Sequence, residues 1–264
     1  MKIENKVFVV TGAGSGMGRQ LTLELVKRGA KVAAVDLRAE TLAETQKMAG
    51  NQVATFALDI TDGQKVAKLP AQVNERFGSV DALINNAGII QPFVRINELT
   101  LEQADRVMAV NFAGPLMLTK AFLPELLKRP EAHILNVSSM GAYAPVPGQS
   151  VYGASKAALK LFTEGLRSEL LATKVGVTIA FPGAINTNIA QNSGMALPAT
   201  DSAETAKFKM TEADVAARAM INAIEHNKPR ITIGSDATMM DRLSRLNPVM
   251  AANIIYKQMK SLLG

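Results

Sequence analysis

The sequence predicts an α/β fold: seven parallel strands in one doubly wound sheet, between two layers of helices, as a single domain over residues 1–264. Three observations predict it. The candidate strands are nearly continuous in hydrophobicity rather than alternating, as strands covered on both faces should be. Helically patterned segments separate them, which calls for right-handed crossovers between parallel strands. The first strand runs into a glycine-rich turn, "TGAGSGMG". No repeat, low-complexity stretch or linker divides the chain.

Taken in order, the strands are "KVFVVT" (6–11), "KVAAVD" (31–36), "QVATFALD" (52–59), "VDALINN" (80–86), "HILNVSS" (133–139), "GVTIAFP" (176–182) and "RITIG" (230–234). The segments 16–29, 62–77, 100–128, 151–173 and 211–226 read as helices, with Pro70 expected to kink or divide the second of them. Residues 187–210 are small, polar and weakly patterned between two firm elements, so a substrate lid is expected there. From Asp236 to Gly264 two apolar helical patterns are broken at "NP" (247–248). They suit an amphipathic cap or a subunit contact better than a membrane anchor.

Composition excludes several classes of function. With 48% apolar residues the chain can bury a sizeable core. It has no cysteine, which removes disulfides, thiolate nucleophiles and thiolate metal sites together. Its two histidines are far apart, one expected in a buried strand (His133) and one near a helix end (His226), so no metal centre is expected. The net charge of +6 is scattered, without a dense basic run, and predicts no nucleic-acid partner. No signal-peptide region and no apolar run long enough for a bilayer are read from the sequence, so the expected location is the cytoplasm.

The glycine turn has the spacing G-x-x-x-G-x-G at Gly12, Gly16 and Gly18. Such a turn lets the backbone approach a pyrophosphate and aims a helix N-terminus at that anion, although a simple turn is also compatible with it. Asp36 ends the second strand, where a carboxylate can accept bonds from both ribose hydroxyls and repel a 2′-phosphate. This favours NAD over NADP, with Arg19 and Arg38 near enough in sequence to offset part of the repulsion. Tyr152 and Lys156, four residues apart, share a helix face. An ammonium beside the phenol would lower its pKa from about 10 and make it a usable acid or base. Ser139 ends a strand and can anchor a substrate oxygen. Asn111 lies four residues before Pro115, which has no N–H, so its carbonyl is left free to hold a water; a simple kink is the other reading.

In combination, "TGAGSGMG", "NNAG" (85–88), Asn111, Ser139, "YGASK" and "PGAINT" (182–187) resemble the short-chain dehydrogenase/reductase family, from about residue 5 to 187 and more weakly beyond. The resemblance implies a Rossmann-like, three-layer fold, with Tyr152 as general acid/base, Lys156 as its partner and ribose ligand, Ser139 as substrate anchor and Asn111 as holder of a relay water. It implies that Gly12, Ser15, Gly16, Met17 and Gly18 hold the cofactor's phosphates, Asp36 its ribose, and Asp59 and Ile60 its adenine. Asn85, Asn86, Ala87 and Gly88 would line it, Ile185 and Thr187 would contact its carboxamide end, and Pro182 and Gly183 would also bind it. A homodimer or homotetramer, paired through helices 100–128 and 151–173, is implied as well, although the tail departs from the family's short glycine-rich ending.

The expected activity is interconversion of a secondary alcohol and a ketone with NAD. Ala142, Ala144, Val146, Pro147, Met195, Leu197 and Phe208 suggest an apolar substrate. An NADPH-dependent carbonyl reductase and a non-catalytic NAD-binding redox sensor are the alternatives.

Overall fold

The computed structural model describes residues 1–187, 189–194 and 210–263. Met195, Leu197, Phe208 and most of the expected lid lie outside the described residues.

The strands are β1 (Val7–Thr11), β2 (Lys31–Asp36), β3 (Val53–Ala57), β4 (Ala82–Asn85), β5 (Ala132–Val137), β6 (Val175–Pro182), β7 (Ile185–Asn186), β8 (Thr211–Glu212) and β9 (Arg230–Ile233). Seven of them form one sheet in the order β3-β2-β1-β4-β5-β6-β9, every neighbour parallel. Successive side chains leave a strand on opposite faces, and the sheet accordingly has two cores. Phe8, Val10, Val32, Ala34 and Ile84 face α1 (Gly16–Lys27), α2 (Ala39–Ala49) and α8 (Ala213–Glu225). Val7, Val9, Val35, Leu83 and Ile134 face α3 (Gly63–Phe77), α5 (Gly114–Leu126) and α6 (Ser150–Leu170). The order reverses between β1 and β4, and the crevice beyond the carboxyl ends of those strands is where such sheets bind ligands.

The structure differs from the sequence reading in four places. Helix α2 was not expected: in "AETLAETQKMA" only Leu42 and Thr45 are buried, too thin an apolar stripe to register. Pro70 does not divide α3, which runs unbroken because Val66, Leu69, Pro70 and Val73 bury together against the sheet. The expected helix 100–128 comprises α4 (Leu101–Met108), a π-helical turn (Ala109–Ala113) and α5, the turn falling just before Pro115. Residues 211–212 pair with β7 instead of opening α8, closing the base of the excursion that contains α7 (Ile189–Asn192).

The run Leu101–Leu126 also corrects the expectation that no apolar stretch is long enough for a bilayer. Within its 26 residues an 18-residue stretch reaches a mean hydropathy of 1.3, sufficient by length and composition alone. Here, however, Leu118, Phe122 and Leu126 are buried in the core shared with α3 and α6.

The tail forms the two expected helices, α9 (Ser235–Leu246) and α10 (Pro248–Met259), with Asn247 Oδ1 capping the second through the Met250 N–H. Met240, Ala251 and Ile255 bury against Ala144, with Tyr143 and Val146 alongside. Tyr143 donates its hydroxyl to the Ala237 carbonyl at 2.9 Å, and the Asp236 carboxylate accepts from the Ala184 N–H at 2.7 Å. One end of the hairpin therefore ties down two loops at once.

His133 is buried in β5, as expected. Thr178 gives its single hydroxyl proton to the Lys228 carbonyl, so His133 Nε2 carries the hydrogen that meets Thr178 Oγ1 at 2.8 Å. Burial, and secondarily the terminal ammonium, pushes the imidazole down to about 3. The unfolded chain takes up that proton near pH 6.5. Stability from the neutral ring is thus complete above pH 6.5 and is lost as the pH falls toward 3, at up to about 1.4 kcal/mol per pH unit. Urea midpoints taken from about pH 7 down to about pH 4 should fall more steeply for the native chain than for His133→Leu. Parallel slopes would show that the ring does not titrate this way.

Candidate active site

The glycine turn between β1 and α1 is built by close approach. Gly12 takes φ +67°, and a Cβ at Gly18 would lie 2.0 Å from the Gly12 carbonyl oxygen. Ser15 is the N-cap of α1 yet makes no side-chain cap bond, so the helix's first N–H groups remain free. They open onto a cleft of about 440 Å3. Gly12, Ser15, Gly16, Met17, Asp36, Asp59, Ile60, Ala87, Gly88 and Thr187 all line it, as the sequence suggested.

Asp36 is fixed by the Gly14 N–H on Oδ2 (2.9 Å) and the Arg38 N–H on Oδ1 (3.2 Å). Arg19, considered as an offset to its charge, is occupied elsewhere: it bonds Thr45 Oγ1 and pairs with Glu44 at 2.7 Å. Arg38 does line the cleft, and donates to Asn192 Oδ1 at 2.8 Å. Asp59 holds the turn after β3, accepting from the N–H and hydroxyl of Thr61 at 2.8 Å each.

Several expected cofactor contacts sit behind the wall. Asn85 is buried, donating to Asn136 Oδ1 (2.8 Å), and it is Asn86 that reaches the cleft. Gly18 backs Gly12 instead of facing the cavity. Pro182, Gly183 and Ile185 lie off the cleft wall, with the Gly183 N–H bonded to the Ile233 carbonyl. Asn192 was missed by the sequence reading. It comes from α7, donates to Ser15 Oγ (2.9 Å), and belongs to no motif that could have signalled it.

The reacting groups converge from β5, the π turn and α6. Ser139 N-caps a 3-10 turn (Met140–Ala142), its Oγ accepting from the Gly141 N–H. Lys156, 4% exposed, donates from Nζ to the Val137 carbonyl at 3.1 Å, while Ser138 Oγ bonds the Lys156 carbonyl. A Cβ at Gly88 would stand 3.1 Å from Lys156 Nζ and 3.2 Å from Asn111 Oδ1, so a side chain there would crowd both groups. Asn111, fully buried, uses its side chain on the Ile89 N–H (2.9 Å), the Ile89 carbonyl (2.9 Å) and Ser155 Oγ (3.0 Å). Single π turns of this kind recur at functional sites.

The electrostatics differ from expectation. The sequence reading had Lys156 lowering the Tyr152 phenol. Instead burial pushes that phenol above its ordinary value, opposed only by the hydrogen bond with Ser139. The same burial pushes the Lys156 ammonium down to about 8. Desolvation penalises the charged form of each. Lys156 Nζ lies 5.9 Å from the centre of the Tyr152 ring.

The sequence profile described as short chain dehydrogenase matches residues 6–197. This chain belongs to that family. SadH of Mycobacterium tuberculosis is 36% identical over 253 residues, covering 92% of this chain and 91% of its own. A short chain dehydrogenase/reductase from Burkholderia phymatum, solved in complex with NAD, superposes with a TM-score of 0.86 at 26% identity, over 95% of this chain and 96% of that one. A short chain dehydrogenase from Burkholderia cenocepacia J2315, solved in complex with NADP, gives 0.82 at 29% identity, over 97% and 99%. Among short-chain dehydrogenases, then, this is an oxidoreductase with the Rossmann-like fold that its motifs implied.

Proposed function

We propose that this short-chain dehydrogenase interconverts a secondary alcohol and a ketone on an apolar substrate, using NAD in preference to NADP. The observation that carries the reading is the meeting of Ser139, Tyr152 and Lys156 beside the cleft lined by Gly12 and Asp36. The residues present fit a dinucleotide. The turn has no room for a Cβ at Gly18, the α1 N-terminus is uncapped by a side chain, and Asn86, which lines the cleft, has a buried Oδ1 with no partner among the described residues. Gly12 to Gly18 would hold the phosphates, Asp36 the ribose, Asp59 and Ile60 the adenine, and Gly88, Lys156 and Thr187 the far end.

A bound nicotinamide dinucleotide supplies the hydride acceptor or donor. In the oxidative direction Ser139 Oγ holds the substrate oxygen and Tyr152 Oη takes the hydroxyl proton. Lys156, when charged, stabilises the phenolate that Tyr152 must pass through. Asn111 fixes Ile89, which lines the cleft next to Gly88. Ala142, Val146 and Pro147 give the loop an apolar face, and the buried Ala144 anchors that loop to the tail. This constellation has no use in a redox sensor without turnover.

An NADPH-dependent reductase is the second reading, favoured by Arg38 on the cleft wall. Appearance of reduced-nicotinamide absorbance, with NAD and NADP each offered alongside aliphatic, cyclic and steroidal secondary alcohols, separates the two. Turnover with NAD on one structural class is the expected result. Asp36→Ser should then shift the NAD-to-NADP ratio of kcat/KM by about tenfold or more toward NADP. An unchanged ratio would remove Asp36 as the discriminating residue. The homodimer or homotetramer implied by the resemblance would pair copies through α5 and α6, where Leu161 stays exposed.

A further inference from the structure

Gln91 belongs to none of the motifs above, yet it is 1% exposed and its side-chain amide is bonded at both ends. Oε1 accepts from the N–H groups of Val151 (2.8 Å) and Tyr152 (2.9 Å), while Nε2 donates to the Gly148 carbonyl at 2.9 Å. Its own backbone carbonyl accepts from Gln149 Nε2 at 2.7 Å. Helix α6 needs such a partner. Its first N–H groups have no intrahelical acceptor, and its own N-cap, Gln149, makes no side-chain cap bond. The cap comes instead from the loop after β4, 60 residues upstream.

That loop is also the one gripped by Asn111, which bonds both the N–H and the carbonyl of Ile89. A continuous hydrogen-bonded strap thus runs from the π turn through Ile89 and Gln91 to the backbone of Tyr152. We propose that Gln91 is a positioning residue for the reaction: a cap borrowed from the cleft wall that holds the Tyr152 backbone in register with Asn111 and the nicotinamide end of the cleft. The inference rests on the reading of Tyr152 as general acid/base. The two ends of the amide do separate jobs: the acceptor caps α6 at the Tyr152 N–H, and the donor ties the Gly148 loop to the same wall. Misplacement of a reacting group by about 1 Å can cost on the order of a hundredfold in rate.

Two variants test it. Gln91→Leu removes both ends and should lower kcat by about tenfold or more, while the affinity for NAD stays within about twofold. Gln91→Glu keeps acceptance by the two N–H groups, loses the donor to Gly148 and adds negative charge beside Tyr152. It should recover most of the lost kcat at alkaline pH, with the ionisation of Tyr152 raised by about one pH unit. That ionisation is read directly from tyrosinate absorbance, by difference against the same protein carrying Tyr152→Phe. A folded Gln91→Leu with native kcat, or a Gln91→Glu whose tyrosine titrates as in the native chain, would overturn the proposal. Should Gln91→Leu fail to fold, the Gln91→Glu titration decides alone. Should the native chain show no turnover with any alcohol, the functional reading fails, and the same titration still decides whether Gln91 acts on Tyr152.

Discussion

Replacing Tyr152 by phenylalanine is expected to lower turnover by about two to four orders of magnitude, the range over which a positioned acid or base contributes. The ring keeps its packing, since only the hydroxyl that meets Ser139 is lost. Lys156 remains anchored to the Val137 carbonyl, and the cleft around Gly12 and Asp36 is untouched. Affinity for NAD, read by fluorescence titration, should therefore stay within about twofold while kcat collapses. Retention of most activity would end the assignment of Tyr152 as the proton-transferring group. The remaining candidates would then be Ser139 and Lys156, whose ammonium at about 8 is itself close to neutral pH.

The second large effect is expected at Gly18. A Cβ there would meet the Gly12 carbonyl oxygen at 2.0 Å and its carbon at 2.6 Å, both backbone atoms of the turn that would cradle the phosphates. Neither can swing aside as a side-chain tip would. Gly18→Ala should cost about 1–3 kcal/mol of stability, as overpacking does, and weaken NAD binding by tenfold or more, about 1.4 kcal/mol. Gly165 on α6 supplies the control, because a Cβ there meets nothing within 4 Å. Gly165→Ala should be neutral or stabilise by up to about 1 kcal/mol. Equal effects of the two substitutions, in denaturant midpoint and in nucleotide affinity, would show that helix propensity rather than crowding governs Gly18.

The fold was legible wherever burial on two faces writes itself into a run of apolar residues, as in "KVFVVT" and "KVAAVD". Helix α2 escaped because a helix that buries Leu42 and Thr45 alone leaves almost no periodic trace. The family was legible because the motifs around Gly12, Ser139, Tyr152 and Lys156 stand together in one order and at set spacings along the chain. What the sequence could not display were contacts made across the fold. Gln91 and Asn192 meet their partners only because the loop after β4 and α7 bring them to α6 and to the start of α1. Asn85 and Asn86 are identical neighbours, and β4 ends between them, so that one stays in the core while the other lines the cleft. The direction of the Tyr152 shift was also beyond reach, since it depends on how deeply the pair is buried.

The hairpin of α9 and α10 has an evolutionary consequence. It braces the loop carrying Tyr143, Ala144 and Val146 through Met240, Ala251 and Ile255, and it makes no hydrogen bond to Tyr152, Lys156 or Ser139 among the described residues. Under the proposed function that loop faces the substrate, so drift within those two helices would reshape the pocket wall and leave the proton chemistry as it is. A lineage carrying this architecture can change its diet by repacking one hairpin.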